Sequence, residues 1–276
     1  MMGVLIKNPE QKDICGTCGT RYASLKTTDD DCSICLDDRQ YVGDNGQVWC
    51  SYHELAKNRS IRFTQLEDNL YVLQPVPNFA IGQQAFLVLS EGGNMLWDCI
   101  PFLDEPAVAF IHSLGGLQAI AISHPHYYSL MVEWSTVFDC PVYLNALDKD
   151  WVMRSSKQIN FWKGKRKLLW NDMQLIHTGG HFLGSAVLYL PCHGNKGSLL
   201  TADTIYVARD RKSVSFMYSY PNLIPLPQDA IEQIYERVKE PNYETMRGAF
   251  DGQVIATDAK QALSKSVQRY LSIFKA

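Results

Sequence analysis

Two cysteine pairs of identical spacing, Cys15-Gly-Thr-Cys18 and Cys32-Ser-Ile-Cys35, constrain this chain more tightly than any other feature of it. Two residues between thiolates let one tight turn aim both sulfurs at a single ion, and thirteen residues separate the pairs. Two such knuckles complete a closed tetrahedral site, the arrangement that holds structural zinc. Gly16 and Gly19 give the first knuckle the backbone freedom it needs. The segment is otherwise polar, with the runs Lys26–Asp31 and Leu36–Gln40, and has too few apolar residues to fold alone, so a metal would supply its stability. Structural zinc on Cys15, Cys18, Cys32 and Cys35 is the expectation, with a rubredoxin-like iron site and a disulfide or free-thiol arrangement as alternatives. A reducing, cytoplasmic compartment fits this reading. Cys50 and His53 form a third metal-like pair, but Ser51 followed by Tyr52 to Lys57 reads as the start of a helix and makes the pair a coincidence. Cys99, Cys140 and Cys192 stand alone in apolar surroundings and read as small buried hydrophobes.

The whole chain has 276 residues, 46% of them hydrophobic, enough for a sizeable core and for about two domains. Lys plus Arg is 26 and Asp plus Glu is 29, a net charge of -3 that argues against a nucleic-acid or anionic-membrane binder. The longest apolar runs, such as Gln84 to Ser90, fall well short of the ~18 residues of a membrane span. The opening Met1–Asp13 has a short apolar patch without a cleavage-type pattern, so no secretory leader is expected. The division predicted is a zinc-ribbon-like module over 1–60 and a larger domain over 61–276.

Beyond about Ile61 the pattern changes to short β-rich runs. Leu70 to Leu73, Ala85 to Ser90 and Met95 to Trp97 read as strands, the last two joined at Gly92-Gly93-Asn94. Pro106 to Leu114 reads as a helix closed by Gly115-Gly116. Ala119 to Ser123 is a short apolar run of the kind a sheet buried on both faces requires. A helix over Leu130 to Phe138 and strands at Val142 to Leu144, Met173 to Ile176, Ala186 to Leu190, Ser198 to Thr201 and Val254 to Ala256 follow. Asp229 to Lys239 and Ala259 to Phe274 are amphipathic helices. This order specifies a layered α/β domain of about 210 residues.

Polar groups placed directly after these apolar strands carry the chemistry, because a strand fixes a position that the following loop leaves open. Ser123-His124-Pro125-His126 sets two imidazoles at i and i+2. Gly179-Gly180-His181 precedes the strand Ala186 to Leu190. Asp203 ends the run Leu199-Leu200-Thr201-Ala202, and Asp98 follows Leu96-Trp97. Three neutral imidazoles with a water make an open, catalytic type of site rather than a closed structural one.

At these residues the sequence resembles the metallo-β-lactamase-fold hydrolases, the superfamily that includes glyoxalase II, over roughly Leu70 to Ala276 and with the motifs in the same order. The resemblance implies an α/β (α+β) fold, a four-layer αββα sandwich with the metal site along one edge. The Thr-His-x-His-x-Asp-His motif of that family aligns with Ser123 to Ser129, its Gly-His with His181, its bridging Asp with Asp203, and an Asp that supports the site with Asp98. Departures are as informative. Tyr128 and Ser129 stand where a second ion's ligands would be, and no histidine lies near Ala249-Phe250-Asp251-Gly252; whether Asp251 replaces one is left open. The implied centre is therefore one zinc or other divalent transition metal on His124, His126 and His181, with Asp203 as a fourth ligand or as the base holding the water. The implied reaction is attack of metal-held hydroxide on an ester, thioester, amide or phosphoester of a small-molecule substrate. A phenol at Tyr127 or Tyr128 could donate to the developing oxyanion, with capping of the next helix as the plainer role. The chain also resembles a narrower subgroup with His-Pro-His-Tyr-Tyr, Gly-Gly-His-Phe and Ser-Phe-Met-Tyr-Ser-Tyr-Pro-Asn segments and an N-terminal cysteine module.

Phe216, Tyr218 and Tyr220 alternate and are expected on one strand face, as packed core or as the wall of a substrate pocket. Arg209, Arg211 and Lys212 with Asp210 read as a solvated loop or as an anion-recognising one. His177 could brace His181. Two other readings compete with hydrolysis: a non-catalytic binding or scaffold protein that kept one metal, and a redox protein pairing this fold with a rubredoxin-like site.

Overall fold

The apolar runs pair into two large sheets, each carried by its own unit of chain. The computed structural model describes residues 6–194 and 196–274; the first five residues, on which part of the leader reading rests, lie outside the described residues. One unit runs to Leu144 and includes Lys149–Phe161, and the other comprises Asn145–Asp148 and the chain from Trp162.

In the first unit, β1 (Lys12–Cys15) pairs antiparallel with β2 (Trp49–Ser51), and α1 (Tyr52–Ala56) follows directly. Ser51 starts α1 through a capping box: its hydroxyl accepts from the Glu54 N–H at 3.1 Å and the Glu54 carboxylate accepts from the Ser51 N–H at 2.9 Å. The Cys50–His53 pair thus belongs to a helix start, and His53 turns its Nδ1 towards Glu10, 3.1 Å away. The seven-stranded sheet then follows chain order: β3 (Ser60–Glu67), β4 (Leu70–Val76), β5 (Ala85–Val88), β6 (Met95–Trp97), β7 (Ala119–Ala121), β8 (Val142–Asn145) and β9 (Ile159–Trp162). The strands β3 to β6 form an antiparallel meander, whereas β6, β7 and β8 run parallel, with Leu96 opposite Ile120 and Ile120 opposite Val142. Parallel neighbours need crossovers, and α2 (Glu105–Ser113) and α3 (Met131–Phe138) supply them. Every residue of β5, β6 and β7 is buried, which is why these strands read as continuous apolar runs. The unpredicted β3 is an edge strand with exposed Ser60, Arg62 and Thr64 at alternate positions; its polar half masked it.

The second unit orders its sheet β10 (Arg166–Leu168), β11 (Gln174–His177), β12 (Ala186–Leu190), β13 (Ser198–Ala202), then β18 (Thr245–Gly248) and β19 (Val254–Ile255). Between β13 and β18 come two short hairpins, β14 (Tyr206–Val207) with β15 (Val214–Ser215) and β16 (Met217–Ser219) with β17 (Ile224–Pro225), and α4 (Gln228–Val238). The closing helix is α5 (Ala259–Phe274). Ile176, Val187, Leu199 and Met246 of the sheet pack with Ile231, Ile234 and Val238 of α4 and Leu263 and Val267 of α5 in one core. The aromatic alternation divides there. The strand breaks at Phe216, whose ring is fully buried in this core, while Tyr220 lies beyond the end of β16. Cys99 and Cys140 are buried as expected, but Cys192 is exposed because it sits in the turn that follows β12. No helix among the described residues is long and apolar enough to cross a membrane.

Leu199 is fully buried at the centre of the second sheet, opposite Met246. Leu199→Ala should cost about 2–5 kcal/mol, read as a lower urea midpoint at unchanged m-value.

Candidate metal centres

The four cysteines of the knuckles converge. Their sulfurs are buried and all lie within 4.8 Å of one another, with Cys15–Cys35 and Cys18–Cys32 each at 3.6 Å. A disulfide needs ~2.05 Å, whereas a tetrahedron with metal–sulfur arms of ~2.3 Å has edges of ~3.8 Å, so the spacing fits a closed four-sulfur ion site. Donors face the sulfurs: Gln47 Nε2 lies 3.2 Å from Cys15 Sγ, and the Tyr22 hydroxyl 3.3 Å from Cys32 Sγ. Burial pushes the Cys18 thiol up, and its three sulfur neighbours push it further, so joint ionisation needs a cation among them.

The histidine loop in the first unit is built from strand ends. Because β6 and β7 are parallel, the residues that leave them are neighbours: the Asp98 N–H donates to the Ala121 carbonyl, and the Asp98 carboxylate accepts from the Ser123 N–H, both at 2.8 Å. Asp98 is 1% exposed and holds a left-handed φ of 63°, a conformation retained where surroundings dictate it. His124 is extended, and Pro125 opens the single 3₁₀ turn Pro125–Tyr127, suiting a residue with fixed φ and no N–H. The His124 and His126 rings stand 5.1 Å apart, both buried, with ring nitrogens within 4.8 Å. The Ser123 hydroxyl lies 2.8 Å from His124 Nδ1 and fixes the orientation of the ring. Tyr127 packs its ring on His124 at 4.4 Å, while Tyr128 lines a small cavity with Thr20, Arg21, Glu133 and Arg154. The Ser129 hydroxyl accepts from Gln83 Nε2 at 3.0 Å.

The second unit holds His181 and Asp203, both buried, with ligand atoms within 4.8 Å of one another. His181 sits in the β11–β12 turn, which closes on itself through Thr178 and Gly179 N–H bonds to the Ser185 carbonyl and a Phe182 N–H bond to Ser185 Oγ. Asp148, 2% exposed, accepts the Gly184 N–H at 2.7 Å, and a side chain at Gly184 would put its Cβ 2.7 Å from that carboxylate. His177 Nε2 lies 2.8 Å from the Leu183 carbonyl of the same turn. His181 Nδ1 lies 3.2 Å from the Met217 carbonyl. A carbonyl can only accept, so this contact assigns a proton to Nδ1. Asp203 leaves the end of β13 after Ala202, at φ 48°, and its own carbonyl accepts from the Tyr220 hydroxyl at 2.6 Å. Tyr220 also sets its ring 5.6 Å from His181.

Sequence reasoning passed over Asp148 and Gly184, because their meeting joins segments far apart in the chain. It left Tyr220 between wall and core, although a polar-tipped aromatic after a strand end was the available signal. Asp251 is exposed in the turn between β18 and β19. Asp210 accepts from the N–H groups of Lys212 and Ser213 and from Ser213 Oγ, forming an exposed turn that displays Arg211 and Lys212 to solvent.

Two mixed sheets with these helices and strand-end residues are the metallo-β-lactamase fold, here preceded by a four-cysteine cluster. The chain aligns with the DIM-1 metallo-β-lactamase over 76% of its length and 98% of that protein's, at a TM-score of 0.56 and 14% identity. It aligns with a metallo-β-lactamase from Erythrobacter litoralis over 76% and 96%, at a TM-score of 0.54 and 14% identity. Identity that low carries the fold alone. The chain belongs to the family of the uncharacterized protein YmaE of Bacillus subtilis (strain 168), with 43% identity over 262 residues, 94% of this chain and 95% of YmaE. No family model matches the chain.

Replacing Cys15 or Cys35 by Ser should remove about one metal equivalent, measured by elemental analysis of the purified protein, while the sheets stay folded. Unchanged metal content in both variants would refute a four-cysteine ion site.

Proposed function

We propose that this chain is a metal-dependent hydrolase in which His124, His126 and His181 hold one catalytic ion, with Asp203 as a fourth ligand or as the base holding the water, and the four cysteines hold a structural zinc. The observation that carries the reading is the position of His181 Nδ1, 3.2 Å from the Met217 carbonyl: a carbonyl only accepts, which assigns the proton to Nδ1 and the cation to Nε2. The Ser123 hydroxyl, 2.8 Å from His124 Nδ1, holds that ring in place. The donor set of three imidazoles and one carboxylate suits zinc, manganese or iron. Such an ion lowers the pKa of bound water towards ~7 and polarises a carbonyl or phosphoryl oxygen.

The residues of the chain divide the remaining work. Asp203 takes the proton of the attacking water or orients it, while Tyr220 holds the backbone of Asp203 in place. Asp98 acts through Ser123, whose amide it fixes ahead of the two histidines. The Tyr128 phenol is the proposed donor to the charge that develops on the substrate oxygen. One ion rather than two is favoured because the Ser129 hydroxyl is engaged by Gln83 and Asp251 is exposed. Esters, thioesters, amides and phosphoesters of small molecules are the substrate classes, and a reducing cytoplasm is the compartment in which four clustered thiols keep their ion. The placement of Tyr128 and Ser129 where a second ion's ligands would stand favours one competing reading, a binding protein that retains a single metal without turnover.

A screen of generic ester, thioester, amide and phosphodiester substrates with added zinc, manganese or iron separates the two. In the hydrolase reading His181→Ala loses the core ion, whereas Asp203→Asn keeps the size, can retain the ion and lowers turnover by ~10²–10⁴-fold. Wild-type turnover by Asp203→Asn excludes Asp203 from the mechanism, and inactivity across the screen with the core ion bound favours the binding protein.

A further inference from the structure

Arg21 stands three residues past Cys18, and its side chain is 3% exposed. Its Nε donates to both carboxylate oxygens of Asp13 on β1, at 2.9 and 3.0 Å, and its Nη1 to Glu133 on α3 at 2.8 Å. Nη2 reaches the Lys7 carbonyl at 2.8 Å, and Arg154 joins the same Glu133 oxygen. The Arg21 backbone also takes part, since its N–H donates to the Ser129 carbonyl at 3.3 Å, three residues after His126. The conformation of this stretch is set by the first knuckle, where the Gly19 N–H meets the Cys15 carbonyl and the Cys15 N–H meets the Thr20 carbonyl. Gly19, at φ 76°, lies so close to Pro101 that a Cβ would stand 2.4 Å from the proline ring, and Pro101 is three residues after Asp98. Gln83, fully buried, links the two loops by donating to the Cys99 carbonyl at 3.1 Å and to Ser129 Oγ at 3.0 Å. The knuckle therefore touches both loops that leave β6 and β7.

We propose that Arg21 is a positioning residue through which the metal state of the four cysteines sets the affinity of the histidine site for its ion. The inference rests on the core site of the preceding subsection. A polar segment with few apolar residues keeps the turn around Cys15 to Arg21 only while the sulfurs are tied together. If that turn loosens, Arg21 withdraws from Glu133 and leaves this buried carboxylate with Arg154 alone, and the loss of one of its two cations is disfavoured, so α3 and the Ser129 turn rearrange. Coupling of this kind is reciprocal and commonly amounts to about 5–150-fold in affinity.

Cobalt(II) is a suitable probe in the full chain, because sulfur-to-cobalt charge-transfer bands report the cysteine site and weaker d–d bands report a nitrogen and oxygen site. Chelator competition then gives each affinity separately. Arg21→Ala with its cysteine site loaded should bind cobalt at the histidine site about 5–150-fold more weakly. Arg21→Lys, which keeps the charge and loses the fork, should recover part of that loss. Glu133→Gln keeps the size of the side chain, guards against a failure of Arg21→Ala to fold, and should shift the affinity in the same direction. Backbone amides over 122–131 should exchange faster in both. Histidine-site affinity equal to wild type in Arg21→Ala and Glu133→Gln, with the cysteine site loaded, overturns the inference alone. A wild-type chain whose cobalt stoichiometry does not fall on His181→Ala overturns the core-site reading and this inference with it.

Discussion

One hydrogen bond between the ends of two parallel strands, from the Ser123 N–H to the Asp98 carboxylate, determines where the histidine loop begins. The register of Leu96 against Ile120 makes those ends neighbours, and burial makes the contact obligatory, because a carboxylate removed from water must find donors. A hydrogen bond to a charged group contributes about 1.5–3 kcal/mol net, and more is lost if one partner is left alone. From this anchor the order of residues does the rest: Ser123 reaches His124, Pro125 turns the chain, and His126 comes round beside His124.

The hydrogen-bond partners of the imidazoles set the character of the site. His124 faces a hydroxyl and His181 a backbone carbonyl, neither of which brings a further negative charge. A carboxylate in those places would make each histidine a stronger base and a stronger ligand. Neutral partners fix the ring orientation and would leave more of a bound ion's charge available to its other ligands.

About half of the strands and all the long helices were legible because their apolar residues repeat with the period of the element, as in Ala119–Ala121 and Ala259–Phe274. The strand-end histidines and aspartates were legible for the same reason, since a polar residue interrupting such a run is conspicuous. β18 was not, because Thr245-Met-Arg-Gly248 has no pattern of its own and is a strand only by pairing with β13. Arg21 and Asp148 were equally opaque. Each is a charged residue in a polar stretch, and what gives it meaning is a partner brought in by folding: Glu133 for the one, Gly184 for the other. The aromatic alternation misled in part because a break at Phe216 sends residues of a single pattern to different surroundings.

The second sheet carries a consequence for how the protein is made. Its central strand β13 lies between β12, which precedes it closely, and β18, which pairs with it in parallel and arrives only when the chain has passed Gly248. Until then one side of Ser198–Ala202, apolar and fully buried in the finished molecule, has no neighbour. Non-local parallel pairing of this sort forms slowly, and an open strand edge is a template for other chains. A growing polypeptide therefore passes through a vulnerable interval, ended when β18 docks and α5 closes over the same core.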